Sequence, residues 1–150
     1  MNTKELINHF EKKYNKNINQ FNDEWYEISQ FQYITEEFIE KYQNKVNWFW
    51  ISYYQKLSED FIDKYENQVN WSCISISQKL SEDFIEKFEY KVDWDWISEY
   101  QNLSGEFIHK FKNKIYFDFL SKENKINYLK YKVKNNIISN SQYLKELLKL

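Results

Sequence analysis

The chain has 150 residues, enough to bury a hydrophobic core in one domain, and its single cysteine excludes an intramolecular disulfide. It has no proline, one glycine and 31 aromatic residues (12 Phe, 13 Tyr and 6 Trp), which disfavours hairpins and long loops and favours short helices joined by tight turns. The net charge of −2 is uneven, because residues 1–104 carry −8 and residues 105–150 carry +6.

The first 24 residues are predicted to cap the segment that follows. Residues 3–13 have the apolar spacing of an amphipathic helix, with Thr3 as its N-cap. Residues 15–22 are polar and irregular, with Ile18 and Phe21 as apolar anchors. Terminal repeats of an array commonly depart from the consensus because their outer face meets water, so we assign residues 1–24 to an N-terminal cap.

Residues 25–124 repeat with a period of 23. One motif, Leu-Ser-Glu-Asp-Phe-Ile and its variants, begins at Ile34, Leu57, Leu80 and Leu103. A second motif, Trp-x-x-Ile-Ser, begins at Trp25, Trp48, Trp71 and Trp94. A period of this length is typical of solenoids built from stacked supersecondary units.

Each repeat is predicted to contain two helices. In the repeat that begins at Leu57, Ser58 suits the N-cap of a first helix, and the acidic pair that follows it suits the first turn. Asn70 suits the N-cap of a second helix from Trp71 to about Gln78, and Asn47 and Asp93 replace it in the neighbouring repeats.

A serine recurs in the second motif, where its small side chain would let helices approach closely. We interpret these serines as packing residues rather than catalytic hydroxyls. They are Ser29, Ser52, Ser75, Ser98 and Ser121.

The pattern weakens towards the C-terminus. Tyr116 replaces the Asn cap and Phe117 replaces the Trp, although the register continues through Ser121. Beyond Asn124 the spacing of Tyr128, Leu129 and Val133 predicts one more helix, Asn135 and Asn136 predict a break, and Ser141 is the predicted cap of a final amphipathic helix. We assign residues 125–150 to a basic C-terminal cap.

The sequence therefore predicts an all-α fold: an α-solenoid of stacked two-helix 23-residue repeats with divergent terminal caps, forming a single domain over residues 1–150. The large side chains of one repeat cannot offset the entropy of ordering 23 residues, so neighbours must share their apolar faces. The alternative is a leucine-rich-repeat-like α/β solenoid, in which Trp71, Ile74 and Ile76 would lie on a strand.

The repeat resembles a known group of sequences. The pattern Trp-x-x-Ile-Ser-x-x-Gln-x-Leu-Ser-Glu-x-Phe-Ile, at Trp48–Ile62 and Trp71–Ile85, is similar to tandem repeats in proteins of giant DNA viruses and some other AT-rich genomes. The resemblance covers about residues 25–121. It brings no activity or site with it and implies a viral or mobile-element setting, hence a protein that engages host machinery.

Signals for chemistry are weak. His9 and His109 lie in different predicted helices and are interpreted as solvated side chains, and Cys73 has no charged neighbour that would activate its thiol. Metal-ligand spacing and a glycine-rich phosphate loop are absent from the sequence. We predict no catalytic residue, metal site or cofactor, and the absence of a long apolar run predicts a soluble protein in the cytoplasm, including that of a host cell, with no membrane partner.

Positions that vary within the second helix, while the repeat frame stays constant, are the candidate partner-binding residues. In solenoids such equivalent positions commonly form the recognition face. Aromatic side chains are enriched at protein interfaces. The candidates are Phe49, Trp50, Tyr53, Tyr54, Asp95, Trp96, Glu99 and Tyr100. The competing interpretation is that Trp50 and Trp96 are buried between adjacent repeats.

Three acidic pairs would form a ladder along one edge of the array. They are Glu36 and Glu37, Glu59 and Asp60, and Glu82 and Asp83. Helix-dipole complementarity explains them. The functional alternative is that the ladder mimics a nucleic-acid backbone.

The sequence is compatible with two functions. The first is a non-enzymatic protein–protein interaction module, acting as a viral inhibitor or adaptor on host or defence machinery. The alternative is single-stranded nucleic-acid binding, with bases on the same aromatic side chains and phosphates on a Lys-rich C-terminal region. Its lysines are Lys122, Lys125, Lys130, Lys132 and Lys134. The sequence leaves the oligomeric state open.

Overall fold

The computed structural model describes residues 1–31 and 33–150, and these form two compact units, Met1–Gln78 and Lys79–Leu150. The helices of the first unit are α1 (Thr3–Tyr14), α2 (Glu24–Gln30), α3 (Glu36–Lys41), α4 (Trp48–Tyr54), α5 (Glu59–Lys64) and α6 (Trp71–Ser77). Those of the second are α7 (Glu82–Lys87), α8 (Trp94–Tyr100), α9 (Gly105–Lys110), α10 (Lys122–Lys134) and α11 (Asn140–Leu147). Two 3₁₀ turns, Ile18–Gln20 and Phe117–Phe119, lie outside these helices.

The fold is an all-α repeat solenoid, as predicted. Repeated helix pairs pack against each other, with α2 on α4 and α4 on α6 in the first unit. No strand occurs in the described residues, so the leucine-rich-repeat alternative is wrong: Trp71, Ile74 and Ile76 lie on helix α6. The assignment of residues 1–150 to a single domain stays a prediction.

Local capping chemistry defines the helices of each repeat. The Ser58 hydroxyl accepts a hydrogen bond from the Phe61 N–H at 3.2 Å and starts α5, while the Asn70 side chain accepts from the Cys73 N–H at 2.9 Å and starts α6. Both caps were predicted. Two terminal caps were placed wrongly: Asn2 rather than Thr3 caps α1, and Ser139 rather than Ser141 caps α11.

The recurring apolar residues form the core. On α5, Phe61 and Ile62 are buried, and the Phe61 ring lies 4.6 Å from that of Tyr65. Trp48 is half-buried, with its ring 5.0 Å from Tyr65 and its Nε1 donating to the Gln43 carbonyl. The same arrangement returns in the second unit, where Trp94, Phe107 and Phe111 contact each other.

The serines of the second motif form hydrogen bonds in addition to allowing close helix packing. Ser52 is fully buried, donates its hydroxyl to the Trp48 carbonyl at 2.6 Å and accepts from the Asn70 N–H at 2.9 Å. Ser29 and Ser98 make equivalent bonds. Each of these serines therefore links its own helix to the residue that precedes the second helical segment of the next repeat. Ser121 does not belong to this set, because it is exposed and caps α10.

Buried side-chain amides connect successive repeats. Gln78 donates from Nε2 to the carbonyls of Ser52 (3.0 Å) and Gln55 (2.7 Å), and its Oε1 accepts from the Leu57 N–H (3.1 Å). In the second unit Asn124, which is fully buried, donates to Gln101 O and accepts from the Leu103 N–H. These amides satisfy backbone groups that the short helices leave unpaired.

The last repeat is altered. The expected second helix is reduced to the 3₁₀ turn Phe117–Phe119, and no side chain caps it at Tyr116. The predicted helix around Tyr128 is confirmed as α10, and the predicted break is confirmed by Asn136, whose φ is 56°. Helix α9 packs closely on α10.

Candidate interaction surface

Helices α2 and α4 present five aromatic side chains on one surface, which we call the aromatic cluster: Tyr26, Phe49, Trp50, Tyr53 and Tyr54. The four residues of α4 follow one another at helical spacing, on the face opposite the fully buried Ile51 and Ser52. Tyr26 joins them from α2 because α2 packs beside α4.

Trp50 is the centre of the aromatic cluster. Its ring centroid lies 5.8 Å from Tyr26 at 90°, 4.7 Å from Phe49 at 83° and 5.5 Å from Tyr54 at 29°. Tyr53 packs edge-on against Tyr54 at 5.0 Å. These edge-to-face and stacked distances are favourable for aromatic pairs, so the rings hold one another in place.

The aromatic cluster is open to solvent. Tyr26 is 54% exposed, Phe49 46%, Tyr53 42% and Tyr54 45%, while Trp50 is half-buried. Trp50 is therefore neither fully buried between repeats nor free: it packs on Tyr26 of the preceding repeat and supports its exposed neighbours.

Helix α6 carries no aromatic residue at the positions equivalent to the α4 residues of the aromatic cluster. In the position of Trp50 it carries Cys73, which is buried, and the burial raises the pKa of the thiol. A raised pKa suppresses the thiolate, which agrees with the prediction that the Cys73 thiol is not activated. Ile76 is half-buried, and Ser72 and Ser77 are exposed.

The other four predicted residues lie on α8, in the second unit. Asp95, Glu99 and Tyr100 are exposed, and Trp96 is half-buried with its ring 5.7 Å from Tyr100. The eight predicted residues are thus divided equally between the two units, and the structure shows two groups, one on α4 and one on α8.

Sequence reasoning missed several residues of these surfaces. Tyr26 stands 23 residues before Phe49, so the repeat register could have identified it. Phe119 stands 23 residues after Trp96 and is exposed beside Tyr116, with ring centroids 5.7 Å apart. Its exposure accompanies the 3₁₀ turn, and the replacement of the Asn cap by Tyr116 was the sequence signal for a change at this point.

The acidic pairs contribute partly to the fold. Glu36 accepts a hydrogen bond from the Ser58 N–H, and Glu82 accepts from the N–H and hydroxyl of Ser104. In these two pairs one carboxylate therefore binds the first helix of the next repeat, and the partners Glu37 and Asp83 are exposed.

The two histidines differ in environment. His9 is exposed, as expected. His109 is half-buried rather than solvated, its ring lies 5.1 Å from Tyr131, and its buried Nδ1 has no hydrogen-bond partner in the described part of the chain. Within residues 1–31 and 33–150, no three His, Cys, Asp or Glu side chains are grouped so that they could hold a metal ion.

The fold and these surfaces define the class as an all-α repeat solenoid with a fixed internal frame and variable exposed positions. Compared with known proteins, the chain matches no protein-family model, no curated protein and no solved structure. None of the helices that the structure describes is long and apolar enough to cross a membrane.

Proposed function

We propose that the chain is a protein–protein interaction module without chemistry of its own, and that the aromatic cluster on α2 and α4 is its binding surface. The observation that carries the proposal is the contiguous packing of five aromatic rings, four of them more than two-fifths exposed. Contiguous apolar patches on a protein surface mark interaction sites, and Trp and Tyr are enriched among the residues that dominate binding energy.

The aromatic cluster is organised before any partner arrives. Trp50 is held against Tyr26 and Tyr54, and α4 is fixed by its Asn47 cap and by the buried Ser52 hydroxyl. Side chains that are already ordered lose little conformational entropy on binding, so more of the contact energy appears as affinity.

Charge favours a protein over a nucleic acid at this surface. Residues 1–78 contain eight lysines and twelve acidic residues, a net charge of −4. A polyphosphate would be repelled by that field, whereas a partner with an apolar contact area and a basic rim would be attracted.

The biological role that we propose is that of an inhibitor or adaptor acting on host or defence machinery in the cytoplasm. It rests on the resemblance of the 23-residue repeat to those of giant DNA viruses. The variable aromatic positions on a constant frame support it, because such an arrangement lets one scaffold be adapted to a new target by surface substitution.

The test is capture of partners from host lysate with quantitative mass spectrometry. The full chain is compared with the double variant Trp50→Ala, Tyr54→Ala and with Tyr90→Ala, which removes a tyrosine that is 88% exposed and lies outside the cluster. We expect a specific partner to be retained by the wild type and by Tyr90→Ala and lost by the double variant, at unchanged helical circular dichroism. Equal retention by all three proteins would refute the proposal.

A further inference from the structure

The 3₁₀ turn of the second unit exposes three aromatic residues. Tyr116 is 56% exposed, Phe117 44% and Phe119 48%. In the preceding repeat the position of Phe117 is held by Trp94, which is half-buried and donates from Nε1 to the Glu89 carbonyl. A phenylalanine ring has no N–H group, so Phe117 cannot make the hydrogen bond that Trp94 makes to the backbone, and its ring is partly exposed.

One lysine of α10 lies beside these rings, and others are exposed on the same helix. The Nζ of Lys125 is 5.8 Å from the centroid of Phe117 and donates to the Asp118 carbonyl at 3.2 Å. Lys122, at the first position of α10, is exposed. Further along the helix Lys132 pairs with Glu146, whereas Lys130 and Lys134 are exposed and form no ion pair with any described residue.

Phe117 and Phe119 each pack against a neighbouring tyrosine ring. Phe117 packs edge-on against Tyr128 of α10 at 6.0 Å, and Tyr128 in turn stacks on Tyr131 at 6.5 Å and 13°. Phe119 packs on Tyr116 at 5.7 Å. These contacts order the side chains of Phe117 and Phe119 while part of each ring stays exposed to solvent.

We infer that this surface, made of Tyr116, Phe117, Phe119, Lys122 and Lys125, binds single-stranded nucleic acid. Unpaired bases would stack on the two phenylalanine rings, and the lysines would contact the phosphates. Residues 105–150 carry ten lysines against four acidic residues, of which the exposed Asp118 and Glu123 stand among these positions in the sequence. The second unit as a whole carries a net charge of +2 (13 lysines and 11 acidic residues) against −4 for residues 1–78, so a polyanion is attracted to the second unit rather than to the first. The bases would thus stack on Phe117 and Phe119, not on the aromatic residues of α4 and α8 that the sequence suggested.

The test is fluorescence anisotropy of a labelled twelve-residue oligothymidylate with the full chain. We expect binding at about 50 mM salt that weakens about sevenfold by 200 mM, because two neutralised phosphates release counterions. Phe117→Ala with Phe119→Ala should weaken binding at least about fivefold, and Phe119→Tyr, which keeps a ring, should not. Lys122→Ala with Lys125→Ala should weaken binding and flatten the salt dependence.

Two control variants test whether the oligonucleotide binds at this surface alone. Lys45→Ala, an exposed lysine of the first unit, should leave the affinity unchanged, and so should Trp50→Ala with Tyr54→Ala, which alters the proposed protein-binding surface instead. No binding at low salt would overturn the inference. So would equal affinity for a duplex of the same length, or affinity that survives loss of both phenylalanines, since either result would mean charge attraction without stacking.

Discussion

The side chain of Gln78 donates a hydrogen bond to the backbone carbonyl of Gln55, one repeat earlier, at 2.7 Å. The same amide donates to the Ser52 carbonyl, and its oxygen accepts from the Leu57 N–H. All of these bonds lie in the interior, where water cannot replace a lost partner. The glutamine of the repeat pattern is thus a fixed part of the frame that joins α4, the following turn and α6.

Replacing that amide should therefore destabilise the first unit strongly. Gln78→Met keeps the approximate volume but leaves buried backbone groups unpaired, and we expect a loss of about 2–4 kcal/mol in the free energy of unfolding. Urea denaturation followed by circular dichroism measures it. Gln68→Met, at an exposed position, is the matched control and should change stability little. Similar unfolding midpoints for the two variants would contradict a structural role for the Gln78 amide.

A substitution of Ser52 distinguishes a packing role of its small side chain from a hydrogen-bonding role of its hydroxyl. If Ser52 only saved space, Ser52→Ala would be nearly neutral. Because its hydroxyl accepts from the Asn70 N–H at 2.9 Å, we expect Ser52→Ala to cost about 1–3 kcal/mol, measured by the same denaturation. Ser72→Ala, at an exposed serine, is the comparison. A neutral Ser52→Ala would restore the packing interpretation.

The sequence predicted what depends on local chemistry. The caps Ser58 and Asn70 were identified because each bonds an N–H three residues away. The Asn70 N–H that Ser52 accepts from and the backbone groups that Gln78 binds lie 18 to 26 residues away, so only the packed structure reveals them. The misplaced cap at Ser141 has a simpler cause: Ser139 is a second capping residue within the same few positions.

Some residues of the candidate surfaces could likewise be predicted from the sequence, and others could not. Tyr26 and Phe119 follow from the 23-residue register once it is extended by one repeat in each direction. The exposure of Phe117 could not be predicted, because it depends on the replacement of a helix by a 3₁₀ turn.

The N-terminal cap contains a carboxylate that makes stability depend on pH. Lys16 donates to Glu24 at 2.6 Å and the Asn22 N–H donates to it at 2.9 Å, and these bonds lower the pKa of Glu24 to about 2 from a usual 4.5. The stabilisation is present above pH 4.5 and is lost as the pH falls towards 2, since protonation removes the ionised acceptor.

Lys16→Met removes the largest contribution to that shift. We expect the pKa of Glu24 to rise towards 4.5, as measured by NMR titration, and the loss of stability on acidification to be smaller than in the wild type. Lys4→Met, at an exposed lysine of α1, is the control and should leave the pKa of Glu24 unchanged. An unchanged pKa in Lys16→Met would assign the shift to the backbone N–H groups of Asn22 and Glu24.

The single glycine of the chain tests the packing of α9 on α10. Gly105 stands where Glu36, Glu59 and Glu82 stand in the other repeats, and a Cβ at this position would lie 2.4 Å from the Asn127 carbonyl oxygen and 2.4 Å from Tyr131 Cβ. Neither atom is the end of a flexible side chain, so the helices would have to separate. Intrinsic helix propensity favours alanine over glycine by about 1 kcal/mol, so the two effects have opposite signs.

We expect the steric effect to dominate, so that Gly105→Ala destabilises the second unit by about 2 kcal/mol or more. Thermal and urea unfolding followed by circular dichroism measure the change. Glu106→Ala, at the exposed next position of the same helix, is the control for an alanine substitution in this turn and should be close to neutral. A stabilised Gly105→Ala would mean that α9 and α10 are not in close contact, and that the position tolerates a side chain as the equivalent positions of the other repeats do.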